Sequence, residues 1–337
     1  MSQDAYTRAG VSQSGADAAV AALVSHLSKI ETGRASRVVP LSGHYASVLR
    51  IDERTGVAFG TDGVGTKMVV AEQLGRFDTI GIDCIAMNVN DLICVGAEPI
   101  ALVDFILCQS ASPEICDAIG KGLRRGAELS GIEIPGGEIA QVGDVVNGLE
   151  LAGSAIGLVA LDAIVTGDEV APGDAIVGLP SSGLHSNGYT LARRALADLP
   201  LDADPGGRLG LPLGDVLLEP TEIYVLPILE LLASPDVDVR GLAHITGDGL
   251  NNLLRLGSGV GYAIDDPLPV PPIFDLIAER GGVSEEEMHE VFNMGCGFCV
   301  IVPEPHLEAT VGLLGGSYPG ARRIGTVTDR ARVVQRG

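Results

Sequence analysis

Tryptophan is absent from this chain, and lysine occurs only at positions 29, 67 and 121. Aromatic residues make up 4% of the 337 positions, so Val, Leu, Ile and Ala must fill the cores, as they do in α/β layers. Basic residues number 22 against 44 acidic ones, a net charge of −22. A field of that sign excludes nonspecific binding to nucleic acid. Any anionic ligand must therefore be met locally, by Mg²⁺, backbone N–H groups and a few fixed cations. The acid excess also fits a salty cytoplasm, where self-repulsion is screened. No apolar run approaches the roughly 18 residues of a membrane span. The N-terminus lacks the charged-then-apolar pattern of a secretion signal. The expectation is a soluble, cytoplasmic protein. Of six cysteines, most lie within apolar runs. Cys296-Gly297-Phe298-Cys299 has no second CxxC to complete a zinc site, so it reads as structural.

What is present is an alternation of strands and helices. Val20, Leu23, Val24 and Leu27 form one helical stripe within 17–29. Residues 38–51 and 56–60 read as strands, 78–95 as a helix stopped by Gly96, and 99–107 as a strand with Asp104 at its middle. Ser112-Pro113-Glu114 starts a helix that ends at Gly131. A short strand, 132–134, then leads into a turn at Gly136-Gly137-Glu138, and 149–161 is a long strand. An acidic linker, 168–174, precedes a second series, with strands at 175–179, 242–246, 298–303 and 332–335. Helices at 189–199, 220–232, 249–256 and 273–280 alternate with them, joined in part by a Pro/Gly-rich connection at 200–216. Length and alternation predict two α/β domains, 1–166 and 167–337.

Gly60-Thr61-Asp62-Gly63-Val64-Gly65-Thr66-Lys67 is the most informative stretch. Three glycines suit a phosphate-cradling turn, Asp62 suits a divalent cation, and Lys67 is a point positive charge. The spacing is not that of a P-loop, and a plain glycine turn is the competing reading. In helix 78–95, Asn88 and Asp91 share a face. They read either as a helix–helix hydrogen-bond network or as a Mg²⁺ ligand with an amide beside it. Glu138 adds a third hard oxygen donor to Asp62 and Asp91, against the alternative of a solvated turn. Ser181-Ser182-Gly183-Leu184-His185-Ser186-Asn187-Gly188 faces the start of a helix, a favourable place for phosphate, with His185 suited to acid–base work. A capping loop with an incidental histidine is the alternative there. His244 in His244-Ile245-Thr246-Gly247-Asp248-Gly249 reads equally as a core histidine or as part of a second such loop.

These blocks resemble the phosphoribosylformylglycinamidine cyclo-ligase family, also called aminoimidazole ribonucleotide synthetases. Asp78-Thr79-Ile80-Gly81-Ile82-Asp83, Gly96-Ala97-Glu98-Pro99, Pro220-Thr221-Glu222-Ile223-Tyr224, Phe292-Asn293 and the opening Tyr6-Thr7-Arg8-Ala9-Gly10-Val11 continue the likeness over nearly the whole chain. Departures at 39–45, 139–144 and Asp248 fit a divergent, archaeal branch. The resemblance implies ATP-dependent ring closure of formylglycinamidine ribonucleotide to aminoimidazole ribonucleotide, through an iminophosphate, in purine synthesis. It implies a homodimer in which the N-terminal sheet forms a β-barrel across the two subunits, with 1–166 binding ATP and Mg²⁺ and 167–337 contributing the substrate site. The implied nucleotide residues are Gly60, Thr61, Asp62, Gly63, Gly65, Thr66, Lys67, Asn88 and Asp91. The implied metal ligands are Asp62, Asp91 and Glu138. Ser181, Ser182, Gly183, His185, Ser186 and Asn187 would hold substrate, and His185, Asn187, His244 and Lys67 would be catalytic. A kinase of the same superfamily, acting on thiamine monophosphate, is the alternative activity.

Overall fold

The computed structural model describes residues 13–41, 43–330 and 334–336; the Tyr6–Val11 block lies outside them. The first half holds α1 (Gln13–Leu27), β1 (Val38–Val39), β2 (Ser47–Arg50), β3 (Thr55–Gly63), α2 (Lys67–Leu74), α3 (Ile80–Ile93), β4 (Glu98–Cys108), α4 (Pro113–Ser130), β5 (Glu133–Gln141) and β6 (Leu149–Ala160). The second holds β7 (Ala175–Pro180), α5 (Tyr189–Ala195), α6 (Leu213–Leu218), α7 (Val225–Ala233), β8 (Gly241–His244), β9 (Gly261–Ile264), α8 (Pro272–Gly281), α9 (Glu285–Val291), β10 (Cys296–Val302), α10 (Leu307–Gly315), β11 (Arg322–Thr328) and β12 (Val334–Arg336). A 3₁₀ helix, Gly249–Arg255, follows β8.

Each half is built on a six-stranded sheet, ordered β1-β2-β3-β6-β4-β5 in the first and β12-β9-β11-β7-β10-β8 in the second. The implied barrel across a homodimer is corrected here. The first sheet is open within one chain: among the described residues β1 pairs only with β2, and β5 only with β4. Closing a barrel requires hydrogen bonds between its end strands, and the two edges do not meet. On β6, alternate residues Leu151, Gly153, Ala155, Gly157 and Val159 are buried against α3, while Ile156 and Leu158 on the other face are exposed. Phe59, Val103 and Phe105 extend that exposed apolar face onto β3 and β4. The α1 stripe Val20, Leu23, Val24 and Leu27 is also exposed.

The Gly-Gly-Glu turn is a second difference from expectation. β5 runs straight through Gly136, Gly137 and Glu138, paired in parallel with β4. Gly137 leaves room for a neighbouring carboxylate, since a Cβ there would lie 2.3 Å from Asp104 Oδ1. Helices α6, α9 and α10 were not read from the sequence, because each is short and lacks a long apolar period. The Ser112 cap of α4 is as expected, with its side chain accepting from the Ile115 N–H at 3.3 Å.

Helix α3 packs between its sheet and α4 at very close range. A Cβ on Gly81 would lie 2.1 Å from the Leu123 nitrogen and 2.7 Å from the Ile119 oxygen, all backbone. Gly81→Ala must therefore push two helices apart. Urea unfolding is expected to show a loss of about 3 kcal/mol or more, the upper range of overpacking.

Candidate functional site

Helix α3 is buried along most of its length and carries a row of polar residues, Asp83, Asn88, Asn90 and Asp91. Each is held by a named partner, and most partners come from the second half of the chain. Asp83 Oδ1 accepts from Lys67 Nζ at 2.9 Å, from Ser186 Oγ at 3.2 Å, and from the Thr221 N–H and hydroxyl at 2.7 Å each. Asn90 donates to the Glu222 carbonyl at 2.8 Å and accepts from the Tyr224 N–H at 3.0 Å. His244 Nδ1, at the end of β8, lies 2.9 Å from Asp91 Oδ1. Buried polar groups need partners, so this seam is where the two halves meet.

Lys67 is fully buried, and its ammonium donates to Asp83 Oδ1 and to the carbonyls of His185 (3.2 Å) and Glu219 (2.6 Å). An ammonium has three donors, so none is left for a phosphate. Burial lowers the Lys67 pKa, and the Asp83 charge acts against that. The geometry makes Lys67 a strut between α2, α3 and the 181–188 loop.

Within that loop, Ser181 donates to Asn293 Oδ1 at 3.0 Å, Ser182 to the Pro220 carbonyl at 2.5 Å, and Ser186 to Asp83. Asn293 in turn donates to the Gly183 carbonyl at 2.8 Å. The hydroxyls therefore hold the loop in shape. His185 has a positive φ of 62° and a buried ring against Tyr224. Its Nε2 accepts from the Ser182 N–H at 3.3 Å, its Nδ1 has no partner among the described residues, and burial keeps the ring neutral. Asn187 is half-buried, with the Met87 sulfur 4.0 Å from its amide nitrogen.

The opening motif divides between two elements. Gly60 to Gly63 are the end of β3, and only Val64 to Thr66 turn into α2. Thr61 faces Ser154 on the sheet's outer side, donating to the Gly153 carbonyl at 2.8 Å. Asp62 faces α3, where Asn88 Nδ2 donates to its carbonyl at 3.2 Å. The Gly65 N–H donates to Glu150 Oε1 at 2.9 Å, so an anion from the chain itself occupies that donor. The sequence gives no signal for Glu150, names Asp83 only within the 78–83 block, and shows Asn90 only as one more polar residue of helix 78–95.

Asp62 on β3 lies within reach of the Asp91 charge on α3. Burial and the Asp91 charge push the Asp62 carboxyl from 3.8 up to about 6. Glu138 is not brought to them. Asp62, Gly153, Asp104 and Gly137 are successive cross-strand partners and share a face, so Glu138 points to the opposite one. It also stands three strands away, about 14 Å at the usual spacing. Among the described residues no group of three or more His, Cys, Asp and Glu is arranged around one metal ion. Two carboxylates do fit Mg²⁺ shared with ligand phosphates, which commonly takes one or two from the protein. The buried Asn88 Oδ1 has no partner among the described residues and points to the same need for a cation or donor.

Residues 43–159 match the model of the N-terminal domain of AIR synthase related proteins, and 171–336 match that of their C-terminal domain. The chain belongs to this family. A phosphoribosylformylglycinamidine cyclo-ligase of Methanothermobacter thermautotrophicus is 46% identical over 334 residues, covering 98% of this chain and 96% of the relative. The enzyme of that name from Pyrococcus furiosus is 50% identical over 293 residues, covering 87% and 85%. The family fold recurs in thiamine-monophosphate kinase from Stenotrophomonas maltophilia, at 22% identity and a TM-score of 0.62, covering 90% of this chain and 92% of that one. It recurs also in the hydrogenase maturation protein HypE in complex with ATP, at 19% identity and 0.62, covering 86% and 83%.

The acid pair has a measurable signature. Because the folded-state pKa of Asp62 is raised, protonation favours the folded protein. That stabilisation is complete below about pH 4 and is lost as pH rises through about 6. Asp62→Asn mimics the protonated acid. In EDTA at pH 7.5 it is expected to raise the unfolding free energy by on the order of 2 kcal/mol, and to leave it unchanged at pH 4.

Proposed function

We infer that this chain is an ATP-dependent cyclo-ligase that converts formylglycinamidine ribonucleotide to 5-aminoimidazole ribonucleotide, ADP and phosphate. The carrying observation is the 46% identity over almost the full length of a relative bearing that name. The thiamine-monophosphate kinase likeness is one of fold, at 22% identity. The reaction transfers the ATP γ-phosphoryl group to the formamide oxygen; the amidine nitrogen then attacks the activated carbon and phosphate leaves. Such transfers rest on positioning and charge neutralisation.

In this reading the end of β3 and its turn, Gly60 to Thr66, form the nucleotide side. Asp62 and Asp91 hold Mg²⁺, with Asn88 beside them, and bound Mg²⁺ supplies charge neutralisation across the phosphates. His244 fixes the Asp91 carboxylate, and the 181–188 loop is the substrate side, where Asn187 is the side chain best placed to meet the reacting amide. Lys67 and His185 act by holding that loop. The six free thiols suit a reducing cytoplasm. The exposed apolar face with Phe59, Phe105 and Ile156 supports self-association as a homodimer.

Purified protein supplied with ATP, Mg²⁺ and formylglycinamidine ribonucleotide should yield a diazotisable aminoimidazole, whereas thiamine monophosphate should remain unphosphorylated. Asp91→Asn should lower kcat by about 100-fold or more while the protein stays folded. Unchanged turnover would remove Asp91 from the metal site. Light scattering should give twice the chain mass, falling to the single-chain mass in Phe105→Asp.

A further inference from the structure

A cavity of about 580 Å³ lies between α2 and α5, closed on its third side by α6 and the segment after α5. It lies outside the site described above: none of its lining residues is among the candidate nucleotide, metal, substrate or catalytic residues. Its apolar wall includes Val70, Leu196 and Leu217, all buried, and its polar side chains are Gln73, Thr190, Arg193 and Arg194. The lining contains no acid, although acids outnumber bases two to one in the chain.

Arg193 is half-buried on α5 and makes no hydrogen bond or ion pair with any described residue. Other arginines in this half are matched. Arg280 takes Asp198, Arg208 takes Glu279 at 2.6 Å, and Arg323 takes Asp265 at 2.9 Å. Burial alone pulls the Arg193 pKa down, with no counter-charge acting against it. A guanidinium fork held partly out of water, in a cavity whose lining has polar and apolar sides but no acid, has the chemistry of a receptor for a phosphate or carboxylate. The volume falls in the range of small-molecule sites.

We propose that this cavity is a second binding site, for a small organophosphate with an apolar ring, of the size of a nucleoside monophosphate. Arg193 meets the phosphate, Thr190 and Gln73 meet sugar hydroxyls, and Val70, Leu196 and Leu217 pack on the ring. The position gives such a ligand leverage on both candidate loops. Thr66 Oγ1, at the end of the β3 turn, lies 3.1 Å from Thr190 Oγ1, two residues past the 181–188 loop.

AMP is the probe, titrated calorimetrically into the full chain in EDTA, with adenosine and inorganic phosphate as separate arms. The wild type and Asp62→Asn should bind one AMP per chain with equal affinity, and each half-ligand should bind at least about tenfold more weakly. Arg193→Ala, a half-exposed helix position, should fold normally and bind AMP at least about tenfold more weakly, with partial recovery in Arg193→Lys. AMP binding that survives Arg193→Ala but is lost in Asp62→Asn would place the ligand at the metal site and overturn the proposal. Absence of AMP binding to the wild type would overturn it equally. Neither result bears on ring closure, which is read by its own product.

Discussion

The ion pair between Lys67 and Asp83 is the constraint on which the rest of the structure depends. Both side chains are wholly removed from water. Removing one partner of such a pair costs about 3–5 kcal/mol, because the other is left charged and buried. The surroundings support the pair: Lys67 has two carbonyls besides Asp83, and Asp83 Oδ1 has Thr221 and Ser186 besides Lys67. Four of those partners, His185, Ser186, Glu219 and Thr221, lie in the second half of the chain. The pair therefore sets the position of α3 relative to the 181–188 and 219–224 segments.

Around that strut, polar groups divide between architecture and chemistry. The serines of the 181–188 loop, the Lys67 ammonium and His185 Nε2 are used in holding the backbone. Beside them stand Asp62, pushed toward neutrality by burial and by the Asp91 charge, and the buried Asn88 Oδ1, which has no partner among the described residues. A cation brought by a phosphate ligand would relieve that crowding of negative charge. In a chain of net charge −22, that delivers positive charge where few side chains can supply it.

Strands and helices with a clear period were legible from residue order. The long helix of Asp78–Val95 and the capped helix after Ser112 appear close to their expected limits. The family likeness was carried by contiguous blocks, which need no fold to be read. Glu138 shows where such reading stops. Gly-Gly-Glu looks like a turn locally, yet pairing with β4 makes it a strand, and the alternation of strand faces then turns Glu138 away from Asp62. Lys67 shows the same limit, because a lysine closing a glycine-rich motif reads as a phosphate ligand until its three acceptors are seen. The barrel inference failed for a related reason: edge pairing is a property of whole sheets.

By itself the sequence determined the α/β class, the two series of elements, the family, and the presence of acids beside a glycine-rich strand end. These follow from local periodicity and from contiguous motifs, both written along the chain. Only the tertiary structure decided that Asp62 and Asp91 pair without Glu138, that Lys67 and His185 are buried supports, and that Arg193 faces a cavity without a counter-charge. Those outcomes depend on which groups lie within a few ångströms after residues more than a hundred positions apart are packed together. Burial and pairing, which decide whether a charged side chain is strut or ligand, exist only at that stage.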